Sequence, residues 1–274
     1  MPYDPMLYCG SAAYYVRGRP RYSQALASTL ASEANLDGLG HLLDVGCGPG
    51  ILSIELAAYV AAVIGLDPDA GMLAEAAHRA LAVGINTIRW VQALAEDIPT
   101  LNLGMFRLVT FGQSFHWTDR ELVAEAIYDM LEPGGILALI GHTHAGRPQP
   151  ADPGFPPIPH DAIRVLIERY LGPGRRASHG YAPNHTDRHE DALARTRFGR
   201  PHSIFCPGRA DIVQDIDGVV ANYLSTSFAA PHLFGEQINA FTADVRRELA
   251  TYSPSGWFWD WPGDTEILLA RKPN

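Results

Sequence analysis

The amino-acid sequence predicts an α/β fold, a parallel sheet flanked by helices with an inserted, mostly helical cap. Apolar runs alternate with helical periods between about residues 41 and 141, as in βα units. A glycine-rich turn, Asp44-Val-Gly-Cys-Gly-Pro-Gly50, joins the first strand to a helix. The composition then changes, because residues 146–160 hold six prolines, which suit neither a helix nor a central strand.

Each element follows from its local pattern. Strands are predicted at residues 41–45, 61–67, 88–92, 106–111, 136–140, 203–206 and 266–271. Helices are predicted at residues 49–60, 70–83, 119–131, 161–171, 190–198, 213–225 and 236–251. The alternating tryptophans 257, 259 and 261 suggest a strand with one aromatic face, which either packs in the C-terminal core or borders a ligand site.

Composition excludes several classes of protein. With 21 Lys and Arg against 30 Asp and Glu, the net charge is −9, which argues against a nucleic-acid partner. The three cysteines form no CxxC pair, so we expect a reducing, cytoplasmic location and no disulfide framework. No secretory signal and no apolar run of the ~20 residues needed to cross a membrane are apparent, so we expect no membrane partner.

The glycine-rich turn predicts a nucleotide-type site, for which three interpretations compete. A phosphate-binding loop requires a Lys after its last glycine, but Ile51 and Leu52 follow. The dinucleotide fingerprint requires a small residue where Ile51 stands. In the third interpretation the glycines alternate behind Asp44, whose carboxylate would repel a pyrophosphate and suits a ligand with a positive end.

These residues resemble class I S-adenosylmethionine-dependent methyltransferases, in the branch of the ubiquinone methyltransferases. The resemblance covers roughly residues 12–141 and rests on several motifs in the family's order. After the glycine turn come Val63-Ile-Gly-Leu-Asp-Pro-Asp69 with Met72, Ala95-Glu-Asp-Ile-Pro99, Phe115-His-Trp117 and Leu131-Glu-Pro-Gly-Gly135. It implies a Rossmann-like sheet that binds S-adenosylmethionine and releases S-adenosylhomocysteine.

The resemblance also implies a role for each matching residue. Gly46, Gly48 and Gly50 would let the backbone pass under the methionine part of the cofactor, with Asp44 near its amino group. Asp67 would accept hydrogen bonds from both ribose hydroxyls. Further implied cofactor contacts are Pro68 and Met72 at the adenine face, Ala95 and Glu96 at the adenine edge, and Gly112 and Gln113 beside the methionine part. Leu94 departs from the family, where a polar residue is common.

The N-terminal segment Tyr14-Tyr-Val-Arg-Gly-Arg-Pro-Arg-Tyr22 is similar to one that folds over the cofactor in this branch. The resemblance implies that Tyr14 covers the cofactor and that Arg19 pairs with its carboxylate. A solvated surface arginine is the alternative for Arg19. Tyr8, with Tyr14, is a candidate for the wall of the acceptor site.

Histidines supply the candidate bases, since their reference pKa lies near neutrality. His116 follows the fourth strand, and either accepts the proton released on methyl transfer or packs beside Trp117. His142 and His144 are rival bases. His179, His185 and His189 fit no zinc spacing, and we predict no metal site. The predicted acceptor contacts are Tyr8, Phe115, Trp117, His142, His144 and His179.

The sequence therefore predicts three segments and a methyltransferase function. Residues 1–145 would form the cofactor-binding core with an N-terminal lid, 146–202 the substrate cap, and 203–274 the completion of the core. Similarity to bacterial enzymes that methylate antibiotics favours N-methylation of an aminosugar-containing compound by a monomer or homodimer. O-methylation of a sugar or polyketide hydroxyl, C-methylation of a quinone precursor, and a non-catalytic nucleoside-binding protein are the alternatives.

Overall fold

The computed structural model describes residue 4 and residues 6–143, 154–173, 176–177, 180–181, 187–208, 213–261 and 263–274. The strands are β1 (His41–Val45), β2 (Ala62–Asp67), β3 (Ile88–Gln92), β4 (Phe106–Gly112), β5 (Leu131–His142), β6 (Arg176–Ala177), β7 (Gly180–Tyr181), β8 (His202–Cys206), β9 (Val213–Asp215), β10 (Trp257–Trp259) and β11 (Thr265–Arg271). The helices are α1 (Ala12–Gly18), α2 (Leu26–Glu33), α3 (Ile51–Leu56), α4 (Ala70–Ala82), α5 (Arg120–Met130), α6 (His160–Leu171), α7 (His189–Ala194), α8 (Ile216–Leu224), α9 (Pro231–Phe234) and α10 (Ile238–Tyr252).

A seven-stranded sheet forms the centre of the protein, in the order β3-β2-β1-β4-β5-β11-β8. The first five strands in that order are parallel, and β11 runs antiparallel to both of its neighbours. The strand order reverses between β1 and β4. In open α/β sheets such a reversal leaves a crevice at the carboxyl ends of the strands. The predicted Rossmann-like α/β architecture is confirmed.

Helices cover both faces of this sheet because its strands alternate their side chains between two apolar cores. On one face, Leu43 and Val109 pack with α5 and with Leu193 of α7. On the other, Leu42 and Leu108 pack with α2 and α3. The two cores leave the strand ends, with their glycines and polar side chains, at the edge of the sheet.

A third hydrophobic cluster lies outside the sheet and joins α6, α8, α9 and α10 into what we call the helical body. At its centre the rings of Phe234 and Phe241 stack with centroids 4.0 Å apart. The helical body draws its helices from both the predicted cap, through α6, and the predicted C-terminal segment, through α8 to α10. The division into three segments itself stays a prediction.

Several elements differ from the sequence-based expectation. The helix predicted at 49–60 is α3 (Ile51–Leu56) followed by a short 3-10 turn at Ala57–Tyr59, and β5 begins at Leu131 rather than at residue 136. Residues 213–215, predicted as the start of a helix, form β9, which pairs antiparallel with β10. The helix begins at Ile216, three residues later than predicted, because the Asp215 carboxylate accepts a hydrogen bond of 2.7 Å from the Gly218 N–H and caps it there. The helix predicted at 190–198 ends at Ala194, where the Thr196 hydroxyl donates to the Leu193 carbonyl at 2.7 Å.

The tryptophan strand turns most of its aromatic surface inward. Trp259 and Trp261 are 5% and 7% exposed, whereas Trp257 is 43% exposed. Trp259 and Trp261 therefore pack inside the protein, which is the first of the two alternatives for these tryptophans.

The N-terminal segment, residues 6–19, is fixed to the helical body by α1. The Ser11 hydroxyl donates to the Leu224 carbonyl at 2.9 Å. A Cβ atom at Gly18 would overlap the backbone of Ala221 and Asn222, so α1 and α8 approach as closely as only glycine allows. This segment consequently depends on the helical body for its position. None of the described helices is both long enough and apolar enough to span a bilayer.

Candidate active site

A first pocket opens at the carboxyl ends of β1, β2 and β4, with an empty volume of about 680 Å³. Its lining residues are Tyr8, Tyr15, Val45, Gly46, Gly48, Leu66, Asp67, Pro68, Met72, Leu94, Ala95, Glu96, Phe111, Gly112, Gln113, Ser114, Trp117 and Thr118. Most of the predicted cofactor contacts are among them. The strand reversal between β1 and β4 and the N-terminal segment together shape this cavity.

The three alternating glycines, Gly46, Gly48 and Gly50, adopt positive φ angles of 64°, 52° and 72°. The atoms that a side chain would contact differ from one glycine to the next. A Cβ at Gly46 would overlap the side chain of Ser114, and one at Gly50 would lie 2.7 Å from the Trp90 ring. A Cβ at Gly48 would meet no atom within 4 Å. Gly46 and Gly48 line the pocket, whereas Gly50 does not, so Gly50 serves loop packing and Gly48 leaves open space where a ligand would pass.

Asp67 ends β2 and lines the pocket while being only 8% exposed. Its Oδ2 accepts a hydrogen bond of 2.8 Å from the Gly48 N–H, and its Oδ1 accepts one of 2.9 Å from the Asp69 N–H. Burial raises the pKa of Asp67 to about 6, although both hydrogen bonds oppose the shift. Since each carboxylate oxygen has a second lone pair, the group retains capacity for two further hydroxyl donors.

Asp44 lies behind the loop and is 1% exposed, outside the pocket lining. Its Oδ2 accepts hydrogen bonds from the N–H and the hydroxyl of Ser53, and its Oδ1 accepts one from the Thr110 hydroxyl. Burial raises the pKa of its carboxyl group. The structure thus places Asp44 as a brace between β1, α3 and β4, because three internal donors satisfy it.

An apolar wall forms part of the first pocket. Pro68, Met72 and Ala95, whose contacts with adenine stay predictions, form it together with Leu94. Glu96 also lines the pocket, and its carboxylate accepts a hydrogen bond of 2.8 Å from the Asp119 N–H at the start of α5. A flat heteroaromatic ring fits such an apolar wall with one polar edge.

The N-terminal segment covers the pocket through Tyr8 and Tyr15, rather than through the predicted Tyr14. Adjacent residues of a helix point about 100° apart, so Tyr14 packs on the helical body while Tyr15 faces the pocket. Burial raises the pKa of Tyr8 to about 12, which keeps its hydroxyl neutral.

Arg19 lies over the Tyr15 ring, with 4.9 Å from Cζ to the ring centroid, and donates to the Ser225 carbonyl at 2.8 Å. Its Nε is buried and has no hydrogen-bond partner within the described residues. Arg19 does not line the first pocket itself. It lies beside the covering tyrosine, and its pairing with a cofactor carboxylate stays a prediction.

A second pocket adjoins the first and has an empty volume of about 1230 Å³. Its lining residues are Phe111, Gln113, Ser114, Phe115, His116, Arg120, Leu139, Ile140, Gly141, His142, Asp187, Arg188, His189, Glu190, Glu266 and Leu268. Phe111, Gln113 and Ser114 line both pockets and form their junction. The two cavities therefore lie side by side at the end of β4, with these three residues common to both.

The predicted acceptor residues divide between the two pockets. His116 and Phe115 line the second pocket, while Trp117 lines the first. The His116 ring lies against the Trp117 ring, with 4.7 Å between centroids. His142 also lines the second pocket, and its ring stacks on Tyr22 at 5.0 Å. The predicted contacts His144 and His179 fall outside the described residues, as does His185.

Sequence reasoning missed several residues of this site. Tyr15, Ser114 and Thr118 line the first pocket, and the Ser114 hydroxyl donates to the Val45 carbonyl at 2.6 Å, which ties β4 to β1. Arg120, 7% exposed, forms an ion pair with Asp187 at the second pocket. Ser114 could have been found from the sequence, because it follows the end of β4 by two residues. The ion pair of Arg120 with Asp187 could not, because it joins distant parts of the chain. The described residues contain no group of three or more His, Cys, Asp or Glu placed to hold a metal ion.

Comparison with known proteins identifies the domain around these pockets. A family model described as a methyltransferase domain matches residues 42–135. This range of the chain resembles a methyltransferase domain. The matched range of this methyltransferase domain holds the glycine turn, Asp67, the apolar wall and the junction between the pockets. S-adenosylmethionine is the cofactor of this class of domain.

Two curated relatives resemble the methyltransferase domain. A malonyl-[acyl-carrier protein] O-methyltransferase of Enterobacter lignolyticus is 34% identical over 134 residues, which are 46% of this chain and 51% of that protein. A ubiquinone biosynthesis O-methyltransferase of Cronobacter sakazakii is 38% identical over 95 residues, 34% of this chain and 39% of that protein. The chain thus spans about half the length, or less, of these relatives.

A crystal structure shares the fold over most of the chain. It is a methyltransferase candidate from Bacillus halodurans C-125, with a TM-score of 0.51 and 19% identity over 90% of this chain and 99% of that chain. This likeness confirms the Rossmann-like fold of the methyltransferase domain.

Proposed function

We propose that this chain transfers a methyl group from S-adenosylmethionine to a nucleophilic atom of a small molecule. The observation that carries the proposal is the junction of the two pockets at Phe111, Gln113 and Ser114. Methyl transfer requires donor and acceptor to meet in line at close range, and an arrangement that holds both supplies much of the rate enhancement. Two cavities that adjoin at these residues would bring a donor in the first close to an acceptor in the second.

The residues of the first pocket fit the cofactor. The Asp67 carboxylate would accept hydrogen bonds from the ribose diol, and the wall of Pro68, Met72 and Leu94 would pack against the adenine ring. The open space at Gly48 would admit the methionine part of the cofactor. Tyr8 and Trp117 line the pocket with their rings in an edge-to-face contact, and aromatic rings of this kind stabilise a cationic sulfur. The bound cofactor supplies an electrophilic methyl group, and the protein supplies its position.

The protein's own groups then act on the acceptor. The acceptor's lone pair forms the new bond to the methyl carbon, and the sulfur keeps the electrons of the bond that breaks. A proton must leave the acceptor heteroatom, and His116 at the second pocket is the candidate to receive it.

We further propose that the acceptor is an aminosugar-containing compound of antibiotic biosynthesis and that an amine nitrogen is methylated. The net charge of −9 and the carboxylates and imidazoles of the second pocket support a polar, cationic acceptor. O-methylation of a hydroxyl and C-methylation of a quinone precursor remain the competing reactions. A cytoplasmic location and a monomeric or homodimeric state are part of the same proposal.

Calorimetry with S-adenosylhomocysteine, followed by transfer of an isotopically labelled methyl group to panels of amines, alcohols and quinols, tests this function. We expect tight cofactor binding and label in an amine product, whose methylated atom NMR identifies. Binding without transfer to any panel would favour a non-catalytic nucleoside-binding protein. Efficient transfer to acceptors that lack an amine would exclude the N-methylation proposal while keeping methyl transfer.

A further inference from the structure

The second pocket contains three carboxylates, and two of them are neutralised by arginines. Asp187 pairs with Arg120 and, at 2.6 Å, with Arg195. Glu190 pairs with Arg188. Arg195 also pairs with Glu121, at 2.6 Å, so these three arginines are balanced by three acids. The third carboxylate of the pocket, on Glu266, is left to determine its net charge.

Glu266 has one hydrogen-bond donor and no cationic partner in the described part of the chain. The Ser203 hydroxyl on β8 donates to its Oε1 at 2.9 Å. The side chain is half-buried on β11 and shares its face of the sheet with Leu268, which also lines the pocket. A carboxylate in this position keeps most of its acceptor capacity directed at whatever occupies the cavity.

The strand register places Glu266 in line with the junction. The Gln113 N–H donates to the Ile140 carbonyl at 2.9 Å, so Gln113 lies beside the end of β5. On the other side of β5, Gly141 pairs with Glu266. Two strand spacings of about 4.8 Å therefore separate the backbone of Gln113 from that of Glu266, roughly 10 Å in all.

We infer that Glu266 binds a cationic group of the acceptor and so sets its distance from the atom that is methylated. This inference rests on the proposed function and adds a requirement to it, namely that the acceptor carries a cationic group besides its nucleophile. An ammonium paired with a carboxylate is stabilised in its charged form and has no lone pair for attack. The nucleophile is therefore a different atom, placed near Gln113 and His116. The acceptor class is a molecule with a positive charge roughly 10 Å from its nucleophile, about the reach of two sugar rings.

Binding to the complex with S-adenosylhomocysteine tests this inference without turnover. The probes are neamine, a two-ring amino compound, and cellobiose, a neutral two-ring saccharide, each titrated calorimetrically. The variant is Glu266→Gln, whose amide oxygen still accepts from Ser203, so the fold should persist. The matched control is Glu236→Gln, which removes the same charge from an exposed turn outside both pockets.

We expect neamine to bind the wild type more tightly than cellobiose. Glu266→Gln should weaken neamine binding about tenfold or more, equivalent to ~1.4 kcal/mol, and Glu236→Gln should leave it unchanged. Equal neamine binding by the wild type and Glu266→Gln, equal binding of both probes, or no neamine binding at millimolar concentration would overturn the inference. Failure of S-adenosylhomocysteine to bind in the first titration would instead remove the proposed function.

Discussion

The Asp67 carboxylate accepts a hydrogen bond of 2.8 Å from the backbone N–H of Gly48, so the end of β2 holds the glycine turn in place. The same carboxylate lines the first pocket. One side chain thus both shapes the loop and presents acceptors to a ligand. Substitutions at Asp67 must be read against a control that separates these effects.

Replacing Asp67 with alanine should weaken S-adenosylmethionine binding by about 2–3 kcal/mol, because a charged acceptor of hydrogen bonds is lost. Calorimetry measures this change. Asp69→Ala is the control, since the Asp69 carboxylate caps α4 through the N–H groups of Gly71 and Met72 and does not line the pocket. It should lower the stability of the protein by about 1 kcal/mol and spare cofactor affinity. Unchanged affinity in Asp67→Ala would mean that the ribose lies elsewhere.

Cofactor affinity should fall as the pH drops below about 6, because burial holds the pKa of Asp67 there and a protonated carboxyl accepts hydrogen bonds poorly. Stability should respond in the opposite direction. The folded pKa exceeds the ordinary value of 3.8, so the contribution of Asp67 to folding is greatest below 3.8 and is lost as the pH rises through 6. Calorimetry between pH 5 and 8 measures the change in affinity, and denaturant titration from below pH 3.8 to above pH 6 measures the change in stability. The Asp67→Asn variant should lose both pH trends. If it kept the pH dependence of the wild type, the titrating group would be a different one.

Two alanine substitutions in the glycine turn should have different consequences, one for stability and one for cofactor affinity. Gly50→Ala should lower the free energy of unfolding by about 2–4 kcal/mol, since the added methyl would lie 2.7 Å from the Trp90 ring at a φ of 72°. Gly48→Ala should cost about 1 kcal/mol of stability at a φ of 52° and mainly reduce cofactor affinity, because its methyl enters open space in the pocket. Denaturant titration and calorimetry on the two variants compare these effects. Equal effects of both substitutions on affinity would contradict separate roles.

The N-terminal segment should leave the pocket when its contact with α8 is broken. Gly18→Ala places a methyl group against the backbone of Ala221 and Asn222, so α1 must move and take Tyr15 with it. We expect weaker cofactor binding and faster proteolysis before residue 20, with the sheet core intact by circular dichroism. Val16→Ala, on the exposed side of the same helix, is the matched control. Wild-type protease resistance in Gly18→Ala would show that α1 does not depend on this contact.

The role of His116 is tested by comparing its effect on turnover with its effect on cofactor binding. If His116 receives the proton, His116→Gln should lower kcat by about 10²-fold or more and leave the Kd for S-adenosylmethionine unchanged. His78→Gln makes the same change on the exposed face of α4. Stopped assays at several pH values measure the effect. A kcat equal to the wild type on both sides of neutrality would reduce His116 to a packing neighbour of Trp117.

Much of the fold and half of the site were predictable because they depend on neighbouring residues in the chain. The glycine turn requires positive φ angles, and a strand that ends in Asp67 before a capped helix has a local signature. Tyr15 was missed in favour of Tyr14 because the orientation of α1 depends on its contact with α8, which the local pattern does not contain. Residues 213–215 were predicted as helix for a similar reason, since only their pairing with β10 makes them a strand.

The order of residues alone established the α/β class, the nucleoside-type turn and the carboxylate at the end of β2, since each arises from a short stretch of chain. Folding in three dimensions decided which residues share a cavity. Asp44, prominent in the motif, turned out to be satisfied behind the loop by Ser53 and Thr110. Glu266, which no motif marks, reaches the second pocket because β11 inserts antiparallel beside β5. Sheet register between distant segments has no local signal, and this register is what places a carboxylate opposite the junction.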